Sequence, residues 1–148
     1  MQWRRAARIL AMQALCQFDV LGEEFERDLA RFIDEEPLLP EELAAAVDAE
    51  HWPPARQEAQ RLTRQAWMAR GDLDAALAGV MPNWKPERLA LVDRAILRLA
   101  ASEMLATPAV PAAVAINEAI ELARAYGSNG SAAFVNGVLD ALRRNREP

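Results

Sequence analysis

The fold is decided by residues 83–142, which read NWKPERLALVDRAILRLAASEM from Asn83 to Met104 and VPAAVAINEAIELARAYGSNGSAAFVNGVLDAL from Val110 to Leu142. Apolar side chains recur every three or four residues along this stretch, a spacing that places them on one side of an α-helix. The intervening breaks are rich in proline, glycine and small polar residues. The stretch therefore predicts three helices joined by short turns.

Several residues in the breaks are of the types that begin and end helices. Pro111 suits the first turn of a helix, where the N–H that proline lacks has no partner, and Gly127 suits the left-handed position that closes one. Ser131 can cap the last helix. Residues 87–106 predict a long helix whose charged side chains, including Arg98, lie outside its apolar stripe. We therefore expect the last two helices to meet at a tight polar corner.

The composition favours an all-α protein. Of the 148 residues, 52% are hydrophobic, which suffices for a core, and no sustained run of alternating β-branched residues occurs. Without a parallel sheet, the nucleotide sites of Rossmann and P-loop proteins are excluded. The single cysteine, Cys16, excludes an internal disulfide, and we find neither a signal peptide nor a long apolar span. These features lead us to expect a cytoplasmic protein.

The N-terminal half also has apolar residues at helical spacing, interrupted by glycine and proline. Its strongest break is HWPP at residues 51–54. We place a boundary there, between an N-terminal bundle of about residues 1–52 and a C-terminal bundle of about residues 53–148. Because short helices gain most of their stability from tertiary contacts, we expect the two bundles, with about seven helices in all, to pack as one domain over residues 1–148.

Charge is distributed unevenly along the chain. Residues 1–18 carry Arg4, Arg5 and Arg8 and no acid, for a charge of +3, whereas residues 19–50 carry twelve acids against two arginines, for −10. The net charge of −5 argues against non-specific coating of nucleic acid, which rests on many phosphate contacts. A local contact through the three arginines remains open. The acidic segment is either a solvated helical face or a surface for a basic partner.

The sequence offers little for catalysis. His51 is the only histidine, and without a second histidine or a cysteine cluster we favour a surface or capping role over a metal or triad role. Glu118 and Glu121 lie three residues apart on one helical face, but no nucleophile, metal cluster or glycine-rich loop joins them. We therefore predict that the protein is not an enzyme and has no cofactor, no catalytic residue and no metal site.

Three parts of the chain resemble the NusB family of transcription antitermination factors. They read RRAARILAMQAL at residues 4–15, ERLALVDRAILRLA at residues 87–100, and VAINEAIELARAYG at residues 114–127 followed by FVNGVLD at residues 134–140. The last two motifs are specific in their order and spacing. Residues 20–72 match the family only in their helical pattern.

The resemblance implies a NusB-like, all-α fold of two small helical bundles and an activity of binding without catalysis. It implies recognition of boxA-type single-stranded RNA together with the small-subunit ribosomal protein that acts as NusE. That complex joins RNA polymerase during rRNA transcription. No membrane is implied, and the protein is expected to be a monomer or a homodimer.

The resemblance also implies RNA-binding residues in two groups. They are Arg4, Arg5 and Arg8 at the arginine-rich start of the first helix, and Ser128, Asn129, Gly130 and Phe134 at the corner before FVNGVLD. At about 3.6 residues per turn the arginines span about a third of the helix circumference, so they can contact successive phosphates or stack on bases. Backbone N–H groups at the helix start in the corner can also bind a phosphate. Without the resemblance, the arginines can equally solubilise a terminus or pair with acids, and the phenylalanine can belong to the core.

The sequence departs from the family pattern on the side implied to face RNA. Ala6 interrupts the basic run, Cys16 stands where relatives often have tyrosine, and Ala132 and Ala133 stand where lysine or histidine is common. Each change removes a cation or an aromatic ring. The alternative function is therefore a NusB-like protein-interaction scaffold with weakened or lost RNA binding.

Overall fold

The computed structural model describes residues 2–35, 38–107 and 109–146, which form helices and turns without any strand. The α-helices are α1 (Gln2–Leu21), α2 (Leu29–Glu35), α3 (Glu41–Ala46), α4 (Trp52–Met68), α5 (Arg70–Ala78), α6 (Leu91–Ala106), α7 (Ala112–Tyr126) and α8 (Ser131–Arg146). Three 3-10 helices cover Gly22–Asp28, Ala49–His51 and Pro86–Arg88. None of these helices has the length and apolar character needed to cross a bilayer. The all-α prediction is confirmed.

The chain divides into two compact units, residues 1–67 and 68–148. The division falls later than the boundary near residue 52 read from the sequence, because all of α4 except its last residue, Met68, belongs to the first unit. The indole of Trp67 stacks on Phe18 with ring centroids 4.7 Å apart, and Arg64 Nε lies 2.6 Å from Glu26 Oε1. The two prolines of HWPP lie in the first turn of α4, where proline begins a helix as readily as it ends one.

The first unit is built on α1, whose buried side is unusually rich in small residues. Ala6, Ala7, Ala11 and Ala14 have no exposed surface, so neighbouring backbones can approach this side closely. The helix ends at Leu21, and the next residue, Gly22, has a φ of +76°, in the left-handed region that glycine adopts readily. The chain then turns so that α2 and α3 pack against α1.

The second unit is built around α6, against which α5, α7 and α8 pack. Nine consecutive residues of α6, Ala95–Glu103, are buried, as expected for a helix surrounded on all sides. The prediction that Arg98 lies outside the apolar stripe is therefore wrong, since the residue is only 9% exposed. Its guanidinium is tolerated there because it forms two hydrogen bonds with the carboxylate of Asp74 in α5.

Helix α6 begins later than predicted. The long helix expected from Glu87 starts at Leu91, and residues 86–88 form a separate 3-10 turn. The two are separated because Leu89 and Ala90 have extended backbone, with ψ angles of 152° and 144°. Arg94 Nη1 donates a hydrogen bond to the carbonyl of Pro86 at 3.0 Å, which ties the 3-10 turn to the helix.

Candidate nucleic-acid interface

The N-terminal arginines occupy the first two turns of α1. Arg4 and Arg5 are exposed and Arg8 is half-buried, while the intervening Ala6 and Ala7 are fully buried. The buried alanines fix the rotation of the helix, so the arginines are presented by a rigid element and not by a loose terminus. This arrangement concentrates positive charge on a helix with no acid among its first residues. Their assignment as RNA ligands stays a prediction.

An aromatic pair lies directly beside these arginines. The Cζ atom of Arg4 lies 4.4 Å from the centroid of the Trp3 ring, within the range of a cation–π contact. The Trp3 ring in turn lies nearly parallel to the His51 ring, with centroids 6.3 Å apart and an interplanar angle of 14°. Sequence reasoning missed this pair, because the two residues are far apart in the chain and no periodicity relates them.

Trp3 and His51 line a pocket of about 200 Å³. Its lining residues are Gln2, Trp3, Ala46, Val47, Asp48 and His51. The Nε1 donor of Trp3 is buried and has no acceptor among the described residues. A buried donor without an acceptor is costly, so this atom is a polar group that the fold leaves unsatisfied.

His51 is also the centre of a small charged cluster. Its Nδ1 lies 3.7 Å from Asp48 Oδ2 and 3.9 Å from Glu50 Oε1, and ligand atoms of the three residues lie within 4.8 Å of one another. Asp48 and Glu50 can bind a metal through their carboxylates, which the lack of a second histidine or of a cysteine cluster does not exclude. Both carboxylates are largely exposed, as in ordinary surface clusters that carry no ion.

The corner between α7 and α8 has a different backbone from the one predicted. Gly127 does not adopt the left-handed conformation, since its φ is −85° and its ψ is −171°. Glycine is required for another reason: a Cβ atom there would lie 2.6 Å from both the Ala123 carbonyl oxygen and Ser131 Cβ. The left-handed residue of the corner is Gly130, with a φ of +89°.

Ser131 closes this corner instead of capping the last helix. It is the first residue of α8 and is only 2% exposed. Its Oγ accepts a hydrogen bond from the Ser128 N–H at 3.0 Å, and its own N–H donates to the Ser128 carbonyl at the same distance. The Phe134 N–H donates to the Gly130 carbonyl at 3.0 Å. The Phe134 bond is the first i→i−4 bond of α8, so among the N–H groups that a helix start leaves without such a bond, that of Ser131 is already engaged.

The structure brings the second group of predicted residues together at this corner. Ser128, Asn129 and Gly130 are exposed, and Phe134 is half-buried one turn into α8. These four residues belong to the second unit, whereas the three arginines belong to the first. Their RNA-binding role likewise stays a prediction. Close to the corner, burial raises the pKa of the Tyr126 phenol, which favours its neutral form.

Residues 5–144 match the NusB family. Transcription antitermination protein NusB from Anaeromyxobacter sp. (strain Fw109-5) is 42% identical over 146 residues, which cover 98% of this chain and 92% of the relative. NusB from T. maritima is 33% identical with a TM-score of 0.72, covering 98% of this chain and 93% of that chain. A structure of antitermination factors NusB and NusE in complex with dsRNA has a TM-score of 0.77 at 22% identity, covering 98% of each chain.

The chain belongs to the NusB family of transcription antitermination factors, whose members are not enzymes. The resemblance read from the motifs of residues 4–15, 87–100 and 114–140 is therefore confirmed. The all-α, NusB-like fold predicted from the same motifs is confirmed as well.

Proposed function

We propose that this protein is an RNA-binding antitermination factor that recognises boxA-type single-stranded RNA together with the ribosomal protein NusE. The complex joins RNA polymerase in the cytoplasm during rRNA transcription. The observation that carries the proposal is the arginine cluster, with Arg4 and Arg5 exposed at the start of α1 in a member of this family. A protein of the same fold has been solved with NusE and double-stranded RNA, which supports RNA and NusE as partners.

The corner between α7 and α8 contributes to this function through its side chains. Because the N–H of Ser131 already donates to the Ser128 carbonyl, the helix start offers one donor fewer to a phosphate than a bare helix terminus does. Ser128 and Asn129 are exposed and polar, so they can bond to phosphate or sugar oxygens. We assign the corner an orienting role and the arginines the main electrostatic one.

Three arginines give few phosphate contacts, so RNA affinity should depend on the protein partner. For single strands each phosphate contact adds about −0.7 to the slope of log affinity against log salt, so three contacts predict a slope of about −2. The test measures binding of a boxA-type RNA at two salt concentrations, with and without NusE. We expect weak, salt-dependent binding that NusE strengthens. RNA affinity that does not change with salt concentration would contradict the proposal. So would a lack of RNA binding even in the presence of NusE.

A second candidate function is a protein-interaction scaffold with weakened or lost RNA binding. It is favoured by the exposed Ala133 and the half-buried Ala132 at the corner, which carry no charge where the family resemblance implies a cation. A scaffold binds NusE when the purified proteins are mixed, but it shows no RNA binding even at low salt. The same experiment therefore separates the two functions.

A further inference from the structure

The pocket lined by Trp3 and His51 adjoins the proposed RNA-binding arginines but is not explained by phosphate contacts. We propose that this pocket binds one nucleobase of the RNA strand whose phosphates the arginines contact, with Trp3 as the stacking platform. The inference rests on the proposed RNA-binding function and adds a base-binding site to it. All of the pocket's lining residues and all three arginines belong to the first unit.

The dimensions of the pocket suit a single base. At about 200 Å³ it is smaller than the roughly 300–1,000 Å³ of pockets for drug-sized ligands. Two of its walls are planar rings that lie within 14° of parallel, so both have nearly the same orientation toward a flat heterocycle. Aromatic side chains hold bases of single-stranded nucleic acid in this way, since every base has a π-face.

The charges around the pocket favour a base and disfavour a phosphate. Asp48 lines the pocket, and Glu50 lies beside it next to His51, so a phosphate there would be repelled. A carboxylate instead accepts hydrogen bonds from the exocyclic amino group of adenine, cytosine or guanine. Arg4, over the Trp3 ring at 4.4 Å, supplies the neighbouring cation for the phosphate of the same nucleotide. The pocket should therefore prefer an amino-bearing base to uracil.

The Trp3 indole provides a further reason for a polar ligand. Its Nε1 is buried without an acceptor among residues 2–35, 38–107 and 109–146. A base carbonyl or ring nitrogen is the kind of acceptor that this donor lacks. A purely apolar ligand would leave this donor unsatisfied.

A nucleoside titration tests the pocket independently of phosphate binding. The full chain carries four tryptophans, so incorporation of 5-fluorotryptophan gives four fluorine NMR lines, and Trp3→Phe identifies the Trp3 line. Adenosine is added in the presence of a chelator. We expect the Trp3 line to shift, to shift less with uridine, and to lose most of its response in His51→Ala. An unchanged Trp3 line overturns the base pocket. A shift that appears only with added Mn²⁺ also overturns it and assigns Asp48, Glu50 and His51 to a metal.

An RNA titration then connects the pocket to the proposed function. We expect Trp3→Ala to weaken binding of a boxA-type RNA about tenfold, the loss typical of one stacked base, while Trp3→Phe retains most of the affinity. Val20→Ala is the matched control, because Val20 is 66% exposed elsewhere on α1. Circular dichroism confirms that each variant is folded.

The outcomes for the two proposals are separable. If Arg5→Glu weakens RNA binding but Trp3→Ala does not, the RNA function stands and the base pocket is wrong. If the unaltered protein binds no RNA even with NusE, the proposed function is wrong, and the nucleoside titration still decides whether the pocket takes a base.

Discussion

Arg98 and Asp74 form a bidentate ion pair that joins α6 to α5 inside the second unit. The Nη2–Oδ2 distance is 2.7 Å and the Nε–Oδ1 distance is 3.0 Å, and the side chains are 10% and 25% exposed. Removing Asp74 takes this compensation away from the buried charge of Arg98. We expect Asp74→Ala to lower the free energy of unfolding by about 3 kcal/mol, measured by urea denaturation.

The matched control for that variant is an ion pair at the surface. Arg124 Nη1 lies 2.6 Å from Glu121 Oε1 in α7, but the two side chains are 64% and 54% exposed. Solvent screens such pairs, so Glu121→Ala should change stability by less than about 0.5 kcal/mol. Equal effects of the two substitutions would show that burial of Arg98 does not govern the strength of its pair.

Glycine substitutions distinguish crowding at the corner from ordinary helix propensity. Gly127→Ala places a methyl group 2.6 Å from a backbone oxygen and from Ser131 Cβ, so we expect a loss of about 1–3 kcal/mol in unfolding free energy. Gly137 lies inside α8, and a Cβ atom added there would have no neighbouring atom within 4 Å. Gly137→Ala should therefore raise the free energy of unfolding by about 0.5–1 kcal/mol. Thermal and urea unfolding measure both. A neutral Gly127→Ala would mean that the corner relaxes freely.

Reversal of one N-terminal charge tests the proposed RNA contact. We expect Arg5→Glu to weaken boxA-type RNA binding at least about tenfold and to reduce the magnitude of the salt slope by about one. The control is Arg31→Glu, an identical charge change at an exposed arginine of α2 that pairs with Asp28. Fluorescence anisotropy at several salt concentrations measures both. If the two variants lose affinity equally, net charge and not a local site governs binding.

Addition of a cation tests the role of the corner. Ala133 is exposed in the first turn of α8, beside the corner. We expect Ala133→Lys to raise RNA affinity about three- to tenfold at low salt, an increase that disappears at high salt. The substitution should lower the free energy of unfolding by roughly a few tenths of a kcal/mol, because a cation at a helix N-terminus interacts unfavourably with the helix dipole. Ala78→Lys, exposed in α5, is the control and should leave affinity nearly unchanged.

Much of the fold could be predicted from local sequence because helix formation depends on neighbouring residues. The segment Ala112–Tyr126 was predicted almost to the residue, since its apolar spacing and its flanking proline and glycine are local properties. The start of α6 was less accurate, because the pattern of charged and apolar residues does not show that Leu89 and Ala90 are extended.

The candidate site was predictable only in part. The arginines of α1 and the corner after Gly127 could be selected from motifs in the chain. The Trp3–His51 pair could not be, since a contact between residues so far apart depends on how α1 packs against the segment before α4. The sequence also did not predict why glycine is needed at position 127. Glycine is needed there because Ser131 approaches closely, and not because the backbone has a positive φ.

By itself, the sequence determined the helical class, the family and the position of the basic cluster, because amphipathic spacing, helix-ending residues and charge are properties of short segments. Only the tertiary structure decided that Arg98 is buried, that the corner is closed by Ser131, and that Trp3 and His51 share a pocket. Each of these depends on side chains brought together from separate helices or across a turn. Their energies arise from burial and close contact, which exist only once the helices have packed.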